Sequence, residues 1–206
     1  RQRRFAGLNP ATKCPLSSGH FCFRDLQHGT IGVDRLSSAA NFIDRGDRQR
    51  MSSDKKLNAA TASLEFIEAG VTLGVGTGST VNCLIELLPS VRDRIDAVVS
   101  SSIDTTRRLE EQGFEVSTLN ETGGRVDPYI DGADESNKRL QLIKGGGGAL
   151  TREKVIAGAA RRFVCIADDS KLVGMLGTFP LPIEVVPMAK EFVARRLLKL
   201  RAQPVW

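Results

Sequence analysis

Three short apolar runs, Val71 to Val75 (VTLGV), Asp96 to Ser100 (DAVVS) and Phe163 to Ala167 (FVCIA), recur between stretches of helical periodicity, and that alternation restricts the possible folds more than any other feature. None carries a charge after its first residue, and FVCIA is apolar throughout, as in strands buried on both faces. Between them, Lys55 to Ala69 places Leu57, Ala60, Leu64 and Ile67 at helical spacing and ends at Gly70. Val81 to Leu88, Asp104 to Gln112 (closed by Gly113) and Leu150 to Arg162 also read as helices. A strand that reaches the next strand through a helix makes a crossover, and successive crossovers build a parallel sheet. Tyr129 to Asp131 ends a further short strand, and Phe114 to Leu119, Leu140 to Ile143 and Ile183 to Val186 are additional strand candidates, with Met188 to Leu200 an amphipathic helix after them.

Charge is distributed unevenly. The 206 residues carry a net charge of +5. Residues 1–50 hold nine Lys/Arg against four Asp/Glu, whereas residues 51–206 hold 20 of each. A neutral body argues against a surface that follows a phosphate backbone, so no nucleic-acid partner is expected. No apolar run approaches the roughly 20 residues of a spanning helix, so no membrane partner is expected and the reading is a soluble cytoplasmic protein. Four cysteines, Cys14, Cys22, Cys83 and Cys165, form no CxxC pair, which indicates neither a zinc site nor a disulfide framework.

Residues 1–50 lack sustained periodicity and read as an irregular N-terminal extension, either an Arg-rich transit segment or an upstream extension ahead of a start at Met51. Residues 51–178 form the expected α/β catalytic domain. Pro180 and Pro182 punctuate the chain, and residues 179–206 read as the start of a small domain whose remainder lies beyond Trp206.

The chemistry concentrates in two places. In GTGST, Gly76 to Thr80, a strand passes through a glycine-bearing turn into a helix whose first residues are Ser79 and Thr80. Unpaired N–H groups, a positive dipole end and two hydroxyls suit a phosphate there, although Ser and Thr at a helix start also serve simply as caps. The second place is Asp131 to Lys154, DGADESNKRLQLIKGGGGALTREK. Asp131 and Asp134 follow a strand end and are open to metal binding, helix capping or bonds to sugar hydroxyls. The glycines Gly145 to Gly148 allow backbone N–H groups to approach a ligand closely. Glu153, early in a helix, would by itself be read as a capping or dipole partner, but the histidines, His20 and His28, both lie in the N-terminal extension, so any proton transfer in the body would fall to a carboxylate, with Glu153 among the candidates. Lys171, after the strand FVCIA, is either a cation for an anionic substrate or a solvated loop lysine.

Together GVGTGSTV, AVVSSS, YIDGADES, LIKGGGGALTREK, CIADDSK and LGTFPLPIEVVPMA closely resemble the type A ribose-5-phosphate isomerases, in order and from about Ser52 to about Pro204. The resemblance implies a Rossmann-like open, mostly parallel α/β sheet with helices on both faces, plus an incomplete small α+β domain at the C-terminus. It implies interconversion of ribose 5-phosphate and ribulose 5-phosphate through an enediol(ate), without a metal or organic cofactor. Glu153 would then carry the proton between C1 and C2. Asp131, with Asp134 nearby, would contact sugar hydroxyls and assist ring opening. Lys144 and the amides of Gly145, Gly146 and Gly147 would face the enediolate oxygen. Gly132 and Ala133 would line the sugar, while Thr77, Gly78, Ser79, Thr80 and Lys171, with Lys56, would hold the phosphate. A homodimer or homotetramer is expected if the fold is complete. Two readings stand beside this one: a noncatalytic sugar-phosphate-binding or interaction protein, and a deaminase or coenzyme A transferase of the same architecture, which the KGGGGALTREK block and DGAD pair disfavour.

Overall fold

The computed structural model describes residues 20–24, 45–178 and 180–205, with side chains from residue 53 onward. Five strands form the main sheet in the order β1-β7-β4-β2-β3. They are β1 (His20–Arg24), β2 (Val71–Val75), β3 (Ile95–Ser100), β4 (Tyr129–Asp131) and β7 (Phe163–Asp168). All pairings are parallel except β1 on β7. A two-stranded antiparallel ribbon, β5 (Glu135–Ser136) with β6 (Leu142–Ile143), lies between β4 and β7 in sequence.

Alternation along the strands separates two apolar layers. Leu73, Val75, Val98, Ile130, Val164 and Ile166 pack with α1 (Arg45–Ser63), α2 (Ser79–Leu87) and α3 (Ile103–Glu111) through Ala59, Ala60, Val81, Leu84, Ile85 and Leu109. On the opposite face Val99, Val126 and Tyr129 pack with Ile156 of α4 (Leu150–Ala159). The expected α/β sheet with helices on both faces is present. The second face is thinner and more polar, because Asp131 and Glu153 occupy it.

Four local expectations are corrected. Within residues 1–50, His20–Arg24 is a strand on the edge of β7, with His20 opposite Asp168 and Arg24 opposite Val164, and α1 already begins at Arg45. A five-residue aromatic-containing segment has enough β-propensity to occupy an open edge, and that edge is not visible in the local sequence. Expectations for residues 1–19 and 25–44, including Cys14 and His28, lie outside the described residues. The first helix ends at Ser63, whose hydroxyl donates to the Ala60 carbonyl, and continues as a 3-10 turn, Leu64–Phe66, rather than running to Ala69. Phe114 to Leu119 touches the sheet only at Val116 opposite Val98, because Thr118 and Glu121 close a turn that leads the chain away. Ile183 to Val186 forms no strand: prolines at 180, 182 and 187 interrupt its donors, and it leads into a short turn and α5 (Lys190–Lys199).

Candidate functional site

The carboxyl ends of β2 and β4 lie side by side, and the chain leaving each carries one of the two polar segments. Gly74 stands opposite Tyr129 and Val75 opposite Ile130, so Asp131 emerges beside the GTGST turn. Gly76 donates its N–H to the Ile130 carbonyl at 2.8 Å. A Cβ on Gly76 would fall on the Asp131 carboxylate, so this glycine supplies the space that the aspartate occupies. Gly76→Ala is therefore expected to displace Asp131 and lower stability by about 3 kcal/mol, measured by urea unfolding. Wild-type stability in that variant would contradict the close approach.

Asp131 is 0% exposed and accepts four donors. Oδ1 takes the N–H of Thr77 at 3.0 Å and of Gly132 at 2.7 Å. Oδ2 takes the Tyr129 hydroxyl at 2.6 Å and the Lys144 ammonium at 2.8 Å. Lys144 also donates to the Gly132 carbonyl and lies 3.2 Å from Glu153 Oε2, so its three donors point at three acceptors. Burial works against the Lys144 charge, but Asp131 and Glu153 outweigh it and hold the ammonium above its ordinary pKa.

Glu153 sits in the first turn of α4 and is 4% exposed. Beyond the 3.2 Å contact with Lys144, its Oε2 has no hydrogen-bond partner among the described residues. Burial, then the Asp131 charge, push the Glu153 carboxyl above its ordinary pKa, with Lys144 opposing them. A carboxylate with an unspent lone pair and a raised pKa is suited to take a proton from carbon.

Asp134 lies on the glycine run: its Oδ2 accepts the Gly146 N–H at 2.8 Å. Gly145 has φ +88, and its Cβ would collide with Leu150, so the turn into α4 requires glycine there. Its carbonyl accepts the Gly148 N–H at 2.8 Å. These bonds commit the amides of Gly146 and Gly148, while Gly147 is exposed at the tip. In this arrangement Asp131 holds two backbone amides, the Tyr129 hydroxyl and Lys144, and Asp134 holds the Gly146 amide. Among the described residues no group of three His, Cys, Asp or Glu could hold a metal ion.

The GTGST turn also corrects the capping alternative. Gly78, with φ +111, is the N-cap of α2 and has no side chain to offer, so Ser79 and Thr80 enter the first turn with no side-chain cap above them. The turn is anchored from α3, where Ser102 donates to Thr77 Oγ1 at 3.2 Å and Thr105 donates to the Gly76 carbonyl at 2.7 Å. After β7, Asp168 accepts the Ser170 N–H at 2.9 Å and forms the turn that presents Lys171. Lys171 is half-buried and makes no ion pair among the described residues. Glu135, itself 4% exposed, accepts the N–H groups of Gly177 at 2.6 Å and Thr178 at 2.9 Å and so ties the following segment to β5.

The structure thus joins Thr77, Gly132, Asp131, Lys144 and Glu153 in one contact network, with Asp134 and Gly146 beside it. Among the described residues, Ser79, Thr80, Lys171 and Ala133 share no hydrogen bond or ion pair with these carboxylates. Sequence reading missed Tyr129, Ser102, Thr105 and Glu135, and missed Gly76 as a spacer for Asp131. The signals were present: Tyr129 lies two residues before Asp131 on the same strand face, and Glu135 is in the DGADES segment.

Residues 97–206 match the family model described as ribose 5-phosphate isomerase A (phosphoriboisomerase A). A ribose-5-phosphate isomerase A of Francisella tularensis subsp. novicida is 59% identical over 152 residues, covering 74% of this chain and 67% of that protein. A protein of the same name from Acidithiobacillus ferrooxidans is 56% identical over 149 residues, covering 72% and 68%. The crystal structure of ribose 5 phosphate isomerase A from Neisseria gonorrhoeae aligns with TM-score 0.70 and 45% identity, covering 74% of this chain and 68% of the other. A D-ribose-5-phosphate isomerase in complex with phospho-erythronic acid aligns with TM-score 0.65 and 37% identity, covering 72% and 66%. The chain spans about two thirds of the length of the relatives it matches.

Proposed function

As the chain belongs to the ribose-5-phosphate isomerase A family, we propose that it interconverts ribose 5-phosphate and ribulose 5-phosphate, a step of the pentose phosphate pathway. The observation that carries the catalytic reading is Glu153 Oε2, buried and 3.2 Å from the Lys144 ammonium, with no other donor on it.

Glu153 removes the proton from C2 of the open-chain aldose. The electron pair of that C–H bond forms the C1–C2 double bond, and negative charge settles on O1. Lys144, itself half-buried, faces that charge, and the amide of the exposed Gly147 is a further donor. The hydroxyl proton on O2 passes to O1, Glu153 returns its proton to C1, and the C2 carbonyl of the ketose forms. Asp131 keeps Lys144 in place, and Asp134 fixes the glycine run through Gly146. The phosphate sits at the open first turn of α2, with Thr77, Gly78, Ser79 and Thr80, and Lys171 supplies a cation. No step needs a metal, because the Lys144 charge lies where a Lewis acid would act.

A relative in complex with phospho-erythronic acid supports this reading, since a phosphorylated sugar acid pairs a phosphate with a carboxylate that resembles the planar enediolate. The noncatalytic binding alternative is less favoured because the lysine–carboxylate set is complete. In a direct assay with a chelator present, ribulose 5-phosphate is expected to form at the rate seen without it. Binding of ribose 5-phosphate without turnover would replace this reading with the noncatalytic one.

Glu135 gives a separate expectation about the phosphate end. The Gly177 N–H, then Thr178, hold its carboxyl below the ordinary range, with Lys171 a smaller contributor. Glu135→Gln weakens the tie on residues 171–178, and KM is expected to rise about tenfold at nearly constant kcat. The tie persists above the ordinary carboxylate pKa and is lost as pH falls through the lowered one. An unchanged KM would remove Glu135 from phosphate binding.

No described helix is long and apolar enough to cross a membrane. Cytoplasmic action fits the proposed pathway. Assembly into a homodimer or homotetramer fits the exposed Val186, Met188, Phe192, Leu198 and Leu200 around α5, which sedimentation would test.

A further inference from the structure

Tyr129 is fully buried, and its ring lies along the sheet face toward Asp131. Residues two apart on a strand share a face, so β4 points both side chains to the α4 side. The ring is held from two directions. Phe163, its register partner on β7, packs at 5.6 Å between centroids with a 40° tilt. Gly74 on β2 leaves open the space the ring fills, since a Cβ there would come within 2.8 Å of Tyr129 Cδ2. The hydroxyl therefore reaches Asp131 at a fixed place and donates to Oδ2 at 2.6 Å. That oxygen is also the one that receives Lys144 at 2.8 Å. The hydroxyl of buried Ser101 neighbours the phenol and has no hydrogen-bond partner among the described residues.

We propose that Tyr129 is a positioning residue for the isomerisation: its hydroxyl shares Asp131 Oδ2 with Lys144, and so sets where the ammonium stands between Asp131 and Glu153. This rests on the isomerase reading of the site. Two donors on one carboxylate oxygen divide its charge. With the phenol present, Asp131 attracts Lys144 less strongly, and the ammonium remains within 3.2 Å of Glu153 and able to turn to a developing oxyanion. Without it, Oδ2 is left to Lys144 alone. The charged and titratable groups facing this cluster are Asp131 from β4, Asp134 and Lys144 from the loops flanking the β5–β6 ribbon, Glu153 from α4 and Cys165 from β7. The phenol remains a donor throughout the working pH range, because burial, then the charge of Asp131, push its ionisation far above the ordinary value.

Tyr129 is the chain's single tyrosine, which allows a test in both directions. Tyr129→Phe keeps the ring and removes the donor. It is expected to lower kcat for ribose 5-phosphate about tenfold with KM nearly constant, and to move the acid limb of kcat/KM to higher pH, since an unscreened Asp131 raises the pKa of Glu153 further. Biosynthetic replacement by 3-fluorotyrosine alters only this position, strengthens the donor and preserves the packing, so the limb is expected to move to lower pH even if Tyr129→Phe proves unstable. In an Asp131→Asn background, Tyr129→Phe is expected to cost little more, as it should if the phenol acts through Asp131. An active wild type whose acid limb and kcat are unmoved by both replacements overturns the role of Tyr129 alone. Full additivity with Asp131→Asn also overturns it. A wild type that does not turn over ribose 5-phosphate overturns the isomerase reading, and this role with it.

Discussion

Glu153→Gln is expected to lower kcat for ribose 5-phosphate by about 10²–10⁴-fold while leaving sugar-phosphate affinity within a small factor. Glutamine has nearly the same shape and can still face Lys144, so phosphate and hydroxyl contacts persist. It cannot accept a proton from carbon. Binding is measured with phospho-erythronic acid, and turnover by formation of ribulose 5-phosphate. Full activity in the variant would remove Glu153 from proton transfer.

The same residue is expected to control two pH dependences. Because burial and Asp131 raise the Glu153 pKa, the base is lost on acidification at a pH above the ordinary carboxylate range, and the wild-type acid limb of kcat/KM should lie there. For stability the sign is opposite to that of a carboxylate whose pKa the fold lowers. The fold favours the protonated form of this group, so its contribution falls as pH rises from the ordinary value through the raised one. Glu153→Gln removes that loss, and its Tm near neutrality should equal or exceed that of the wild type. A lower Tm at neutral pH would point to a structural role for the carboxylate and weaken the reading of the activity loss as loss of a base.

The residues proposed to act on the substrate could be picked out of the sequence because their chemistry is local. Lys144, the glycine run and Glu153 lie within one short segment, and no histidine competes for the proton. What Asp131 does was not legible, because its donors come from three elements: Thr77 after β2, Tyr129 within β4 and Lys144 after β6. A carboxylate expected to contact sugar hydroxyls also accepts four donors from the protein itself. Gly76 was read as part of a phosphate turn, but the register between β2 and β4 also makes it the space for Asp131. The strand β1 escaped notice for a similar reason: edge pairing depends on what β7 leaves open, whereas the buried runs of β2, β3 and β7 declare themselves. Ile183 to Val186 failed in the other direction. Its composition suits a strand, but prolines on both sides and the lack of a pairing partner among the described residues leave it irregular.

Lys144→Gln is expected to reduce kcat by about 10²–10³-fold, comparable to loss of an oxyanion donor, but with a distinctive recovery on raising pH. Lys144 opposes the two influences that raise the Glu153 pKa, burial and the Asp131 charge. With the cation gone, those influences act unopposed, Glu153 becomes a poorer carboxylate near neutrality, and the acid limb moves to higher pH. Part of the lost activity should therefore return as the pH is raised, until Glu153 is fully ionised; the remainder is loss of charge stabilisation at O1. The substitution also leaves Asp131 buried with one donor fewer and no counterion, and breaking such a pair costs about 3–5 kcal/mol. An acid limb unmoved from the wild type would mean that Lys144 acts on the oxyanion alone and does not set the charge state of the base.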